Sequence, residues 1–272
     1  MVLAASLGAG SAGAIVGTSS ARSRYDTHGP IPAVLNRVDL ESSATCERYM
    51  WQGVLHERNR ATGFRGCDDP DPHEVVAIGD SFTWGVGVRA SEAWPALIGS
   101  ANAGIAGANA DDELRMLRDA YDRRPAWISH AHTIVLGVCL NDAMSGGPKP
   151  GWYGWRARAN SVGLLRRAGL GITFAVENRT AWEHREDMVR LAWEQTAWLV
   201  RKLGARPVAI TLMTPETGDE QLSRKYERGL RDAGWQVVPH PEVPTPGVVS
   251  VWEAHPNAEA HRRFAEAIRG AL

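Results

Sequence analysis

Val75-Val76-Ala77-Ile78-Gly79-Asp80-Ser81-Phe82-Thr83-Trp84-Gly85 is the stretch on which the fold turns. Four apolar residues run without interruption into a glycine, as a strand buried on both faces of a parallel sheet does. A Gly-Asp-Ser turn follows at once, with Thr83, Gly85 and Gly87 at and just beyond its end. Ser81 therefore falls past the carboxyl end of a strand, where open α/β sheets carry their sites. A serine hydroxyl is a poor nucleophile until a base stands within hydrogen-bond reach. Taken singly, Ser81 serves as well for the cap of a following helix.

Downstream, strands and helices alternate. Residues 94–98 start a helix, with Pro95 tolerated in its first turn. Residues 110–121 place Leu114, Met116, Leu117 and Tyr121 near helical spacing behind an acidic start. Residues 133–136 read as a second buried strand, 146–151 as a Gly/Pro loop and 161–168 as a helix. Residues 172–176, Ile-Thr-Phe-Ala-Val, read as a strand. A long amphipathic helix is expected over 180–203, stopped by Gly204. A strand over 207–213, a helix over 220–233 stopped by Gly234, and a short strand over 235–238 follow. The last helix spans 257–272, with Asn257 as its cap. This order predicts an α/β fold with a mostly parallel sheet covered on both faces.

Upstream, residues 22–73 lack strong periodicity and hold turn signals at Gly29-Pro30, Gly63, Gly66 and Asp69-Pro70-Asp71-Pro72. They read as an N-terminal extension packed on a domain of residues 74–272. Residues 1–21 form an apolar, small-residue leader with no charge before Arg22. It is too short and too weakly hydrophobic for a membrane span. It reads as an export segment or membrane anchor that lacks a basic start, or as a plain small-residue leader. An extracytoplasmic, secreted or membrane-anchored location is the expectation, with a cytoplasmic one the alternative.

The chain has 272 residues and a formal net charge of −1. One large α/β domain with extensions fits that length. A charge so near zero gives no global attraction to nucleic acid or to an anionic membrane surface. Cys46, Cys67 and Cys139 form no Cys-x-x-Cys pair, so a zinc ribbon or thioredoxin-like motif has no support. Cys46 and Cys67 read equally as a disulfide in an oxidising compartment or as two buried thiols.

Three further motifs follow strands or precede the last helix. Gly104, in Asn102-Ala103-Gly104, would let a backbone N–H approach a substrate oxygen. Asn141-Asp142 offers a side-chain amide that can donate to a developing oxyanion. Each also reads as an ordinary turn or cap. His255, in Glu253-Ala254-His255-Pro256-Asn257, has a carboxylate two residues earlier and a rigid turn after it. A histidine so placed can act as general base.

Each signal is weak alone, but their order is specific. Serine after the first strand, glycine after the second, asparagine after the third and histidine before the last helix resembles the SGNH/GDSL hydrolase superfamily, in its bacterial Gly-Asp-Ser-Phe-Thr form. The resemblance runs from about residue 63 to the end. It is carried by residues 79–88, Glu92, Trp94, Asn102-Ala103-Gly104, Asn141-Asp142 and His255-Pro256-Asn257-Ala258. Gly63-Phe64-Arg65-Gly66 is similar to a segment upstream of the first block in extracytoplasmic members.

The resemblance implies a flavodoxin-like three-layer sandwich and ester hydrolysis through an acyl-enzyme. Ser81 would be the nucleophile and His255 its base, with Glu253 as the acid. Ser81, Gly104 and Asn141 would form the oxyanion hole. No metal or organic cofactor is implied, and the substrate would be a small-molecule or glycan ester, such as an O-acetyl or short acyl group. Two departures stand out. Gly137 lies four positions before Asn141 instead of two, and the family's acid position, three before the histidine, is Trp252. The Trp252 carbonyl could therefore orient His255 in place of Glu253. An O-acyltransferase using the same nucleophile is the close alternative. A non-catalytic carbohydrate-binding or scaffold protein of the same fold is the other.

Among eleven tryptophans, Trp84 is a candidate wall of the substrate pocket because it stands three residues past Ser81. Trp152 and Trp155 read as loop packing or a lid. Trp182, Trp193 and Trp198 read as helix-packing residues.

Overall fold

The computed structural model describes residues 38–51, 53–139, 142, 171–218, 220–250 and 253–272, with 171–186 and 253 described by their backbone alone. The leader, the 146–151 loop, the 161–168 helix, Asn141, Trp152, Trp155 and Trp252 lie outside the described residues.

The extension holds strands that the turn signals did not announce. β1 (Val38–Asp39), β2 (Cys46–Trp51) and β3 (Val54–Asn59) form an antiparallel sheet. Glu47 faces Arg58 and Arg48 faces Glu57 across the β2–β3 register, and both pairs are ion pairs. Opposite charges on facing residues stabilise a pair of strands. A Cys46–Cys67 disulfide ties this hairpin to the segment beyond Arg65.

The main domain opens with β4 (Val75–Gly79), a one-turn helix α1 (Ser81–Trp84), α2 (Trp94–Leu97), β5 (Ala101–Gly104) and α3 (Ala110–Arg123). It continues through β6 (Thr133–Val138), α4 (Gly171–Lys202), β7 (Arg206–Thr211), α5 (Glu220–Asp232) and β8 (Gln236–Val238). An antiparallel ribbon of β9 (Val248–Ser250) and β10 (Glu253–Pro256) leads into α6 (Ala258–Arg269).

β5, β4, β6, β7 and β8 lie side by side in that order, every pair parallel. Counted within this sheet the order is 2-1-3-4-5, the flavodoxin-like winding. Strand alternation splits the core in two. Val76, Ile78, Ile134, Leu136 and Ala209 pack with Leu117, Trp193 and Tyr226, while Ala77, Val135, Val208 and Ile210 pack with Trp94, Phe264 and Ile268. The fold is thus the three-layer α/β sandwich expected from the sequence.

One element differs. The 172–176 run is not a strand but the opening of α4. A short, mostly apolar run fits a buried strand or a buried helix equally by periodicity; here it continues the long helix that 180–203 announced. Among the helix tryptophans, Trp193 is buried but Trp198 is 52% exposed, so Trp198 is not a packing residue. Among the described residues, no helix is long and apolar enough to cross a membrane.

Candidate active site

Ser81 is the first residue of α1, directly beyond the carboxyl end of β4. The chain leaves β4 for β5 on one side and later fills the other side with β6. That reversal is the switch point at which such sheets bind ligands. Asp80 caps α1: its buried carboxylate accepts the Phe82 N–H at 2.9 Å. The same carboxylate accepts from Cys139 Sγ at 2.9 Å and from the Ser81 hydroxyl at 3.2 Å. Among the described residues Asp80 is the partner of the Ser81 hydroxyl. Proton transfer to a base would need the hydroxyl to turn away from it, and apo structures commonly show such loose arrangements.

His255 comes from β10, half-buried, with its ring centroid 5.3 Å from that of Phe82. Residues 174 positions apart in sequence, Ser81 and His255, are thus brought to one end of the sheet, with Phe82 adjoining both. The turn after His255 is pinned by Asn257. Its Oδ1 caps α6 by accepting the Ala260 N–H at 2.9 Å, and its Nδ2 donates to Pro246 O at 2.7 Å. Glu253 heads β10, paired in register with Ser250. Its side chain and the Trp252 carbonyl lie outside what is described, as does the Asn141 amide. Asp142, next to it, accepts the Cys139 N–H at 2.7 Å.

Two sequence expectations change. Gly104 is buried, and its N–H already donates to Asn102 Oδ1 at 3.0 Å. A Cβ there would lie 2.6 Å from the Trp84 nitrogen. Gly104 is a close-packing residue, and its amide is not open to a substrate oxygen while Asn102 holds it. Trp84 is not a pocket wall. It is 0% exposed, with its Nε1 donating to Gly63 O at 3.2 Å, the His56 ring 5.2 Å from its own and the Arg65 guanidinium 4.7 Å above it. Its partners come from the extension, which no local spacing could reveal.

Asp80, Glu113 and Asp142 are all buried. Burial, with Asp142 and Asp80 nearby, pushes the Glu113 carboxyl well above the usual range, and burial with Asp80 does the same to Asp142. Both Glu113 and Asp142 are thus biased towards the protonated form. Burial and the Arg65 charge lower His56 to about 4. Burial, then Arg65 and His255, lower His261 to about 3. Both are neutral imidazoles. His56 accepts the Gly87 N–H at Nε2 (3.0 Å), which assigns its proton to Nδ1, facing Val54 O at 3.0 Å. His56, Arg65 and His261 were not singled out by sequence; Gly63-Phe64-Arg65-Gly66 was the one signal pointing their way. A cavity of about 350 Å³ lies between Val54, Leu55, Glu57, Arg65 and Arg89, and neither Ser81 nor His255 lines it.

No family model matches the sequence, and no curated protein matches it. Among solved structures, the chain is similar to the crystal structure of TesA, at 18% identity and a TM-score of 0.46, over 73% of this chain and 97% of that one. It is also similar to a member of the lipolytic protein G-D-S-L family from Veillonella parvula DSM 2008, at 13% identity and a TM-score of 0.41, over the same shares of each chain.

Proposed function

We propose that this chain is a serine hydrolase of the SGNH/GDSL type acting on carboxylic esters. The observation that carries the reading is the convergence of Ser81, beyond the central strand at the switch point, with His255 from the far end of the chain beside Phe82. Ser81 Oγ attacks the acyl carbonyl while His255 takes its proton and passes it to the leaving alcohol oxygen. A water then attacks the acyl-enzyme, His255 takes the water's proton and returns it to Ser81 Oγ, and the carboxylic acid leaves. Ser81 opens a helix, so its N–H is among those a helix leaves without an internal partner. That N–H and the Asn141 amide are the proposed oxyanion donors; Gly104 joins them only if Asn102 releases its N–H. Glu253 or the Trp252 carbonyl orients His255, and Glu253→Gln separates the two, since losing a triad acid costs several orders of magnitude in rate.

The substrate proposed is a small-molecule or glycan ester with a short acyl group. The Cys46–Cys67 disulfide supports an oxidising, extracytoplasmic compartment. A fluorophosphonate probe tests the nucleophile. Labelling of the wild type that vanishes in Ser81→Ala is expected, with hydrolysis of p-nitrophenyl acetate lost in parallel. Well-folded wild type that takes no label would overturn the reading in favour of a non-catalytic protein. Acyl-enzyme breakdown accelerated by an added sugar, with the acyl group recovered on that sugar, would make it an acyltransferase instead.

A further inference from the structure

The turn that carries Ser81 is held from outside its own domain. α1 has four residues, far fewer than a helix needs to stand alone. Arg65, from the extension, closes on its end: Nη1 donates to Trp84 O at 3.0 Å and to Gly85 O, and Nη2 to Val88 O at 2.7 Å. His56, from β3, holds the Gly87 N–H. The amides of Gly85 and Val86 in turn hold the Ser81 carbonyl, at 2.9 and 3.1 Å. The loop that grips Ser81 is therefore the loop that Arg65 and His56 grip. Its far side meets the histidine ribbon: a Cβ on Gly87 would stand 2.6 Å from Val249 Cγ2, on the strand paired with β10.

Arg65 is buried enough that desolvation lowers its pKa to about 10. Among the described residues no carboxylate forms an ion pair with it. Its charge faces carbonyl oxygens at the end of a helical turn and the Trp84 ring, and Glu92 favours it from beyond ion-pair distance. Burying a guanidinium so is costly unless its donors are satisfied in a fixed plane, which a lysine ammonium cannot reproduce.

We propose that Arg65 is a positioning residue for the Ser81 nucleophile, fixing the Trp84–Val88 turn from the extension, with His56 as the second fastening. The proposal rests on the reading of Ser81 as the nucleophile. It makes the extension part of the catalytic apparatus.

The test is steady-state hydrolysis of p-nitrophenyl acetate and fluorophosphonate labelling by the full chain and its Arg65→Lys, His56→Ala and His56→Gln variants, with near-UV circular dichroism as the measure of folding. Arg65→Lys should lower kcat and the labelling rate roughly 10- to 100-fold, the scale of a small misplacement of a reacting group. KM should stay within about twofold, since binding groups are untouched. His56→Ala should lose rate in the same way, and His56→Gln, whose side-chain oxygen still accepts the Gly87 N–H, should recover most of it. Arg65→Lys with wild-type kcat, a loss confined to KM, or a loss no larger than the drop in folded protein would overturn the proposal while Ser81 labelling stands. Absence of Ser81-dependent labelling in the wild type would overturn the nucleophile reading, and this proposal with it.

Discussion

Gly79 and Gly137 pair in register across β4 and β6, and the side chain of Thr83 rests on both. A Cβ would stand 2.3 Å from Thr83 Oγ1 if built on Gly79 and 2.4 Å if built on Gly137. Gly79 also has φ 145°, a backbone region that other residues rarely adopt. The two glycines let α1 lie directly on the strand ends. Gly137→Ala should therefore overpack the floor beneath Ser81 and cost about 1–3 kcal/mol. Thermal melting checks this, and an unchanged melt would mean that Thr83 does not rest on Gly137 as described.

How much of this was legible in the sequence follows from which contacts are local. The runs at 75–78 and 134–136 are apolar on both faces, so their burial and their place in a parallel sheet can be read directly. The caps Asp80 and Asn257 act within three residues of themselves and are equally readable. The extension hairpin was missed because its strands, Cys46–Trp51 and Val54–Asn59, are rich in charge and lack clean alternation. The complementary order Glu47-Arg48 against Glu57-Arg58 was the available signal. Trp84 was misread because nearness to Ser81 in sequence says nothing about residues 56, 63 and 65 arriving from the other side. The Asn102 side chain that takes the Gly104 N–H stands only two residues away, yet the Asn102-Ala103-Gly104 spacing does not announce that bond.

His56 makes acid stability a test of the docking. Its pKa is lowered from 6.5 to about 4 in the folded chain, chiefly by burial and then by Arg65. Between those values the unfolded chain takes up a proton that the folded chain refuses, so stability is full above pH 6.5 and falls as pH drops towards 4. The loss is roughly 3 kcal/mol over that window. His261 acts in the same direction and the raised carboxyls in the opposite one, so the comparison is with His56→Gln. The variant's stability relative to wild type should rise as pH falls through the window. Parallel curves from denaturant melts at several pH values would contradict a neutral buried His56.

Glu113 should behave in the opposite sense. Both of its carboxyl oxygens are buried without a hydrogen-bond partner among the described residues, and burial with Asp142 and Asp80 raises its pKa. A raised carboxyl contributes stability below its unfolded pKa that is lost as pH rises towards the folded value. Glu113→Gln carries no proton to lose. The variant should melt higher than wild type at pH 8, and the gap should close towards pH 4. A gap independent of pH would place an ionised carboxylate there.

Asn257 links folding to the position of His255, two residues before it. Asn257→Ala removes the α6 cap, worth about 1 kcal/mol, together with the bond to Pro246 O. Fluorophosphonate labelling of Ser81 should slow by more than the change in folded fraction, because the turn that holds the imidazole is loosened. Labelling at the wild-type rate in a variant with a lowered melting temperature would show that the β9–β10 pairing alone positions His255.

The Cys46–Cys67 disulfide closes a loop over a sequence separation of 21, and Arg65 stands two residues inside it. In the chain-entropy view such a crosslink stabilises by about 3 kcal/mol. For a chain of this size that corresponds to a melting-temperature change of several degrees. Cys46→Ala/Cys67→Ala, or reduction by a dithiol, should lower the melting temperature by that amount. Because the loosened segment carries Arg65, Ser81 labelling at 25 °C should also slow. The pairing itself is checked by thiol titration in denaturant without reductant. One thiol, from Cys139, is expected; three would show the pair open, and the melting temperature should then be indifferent to reductant.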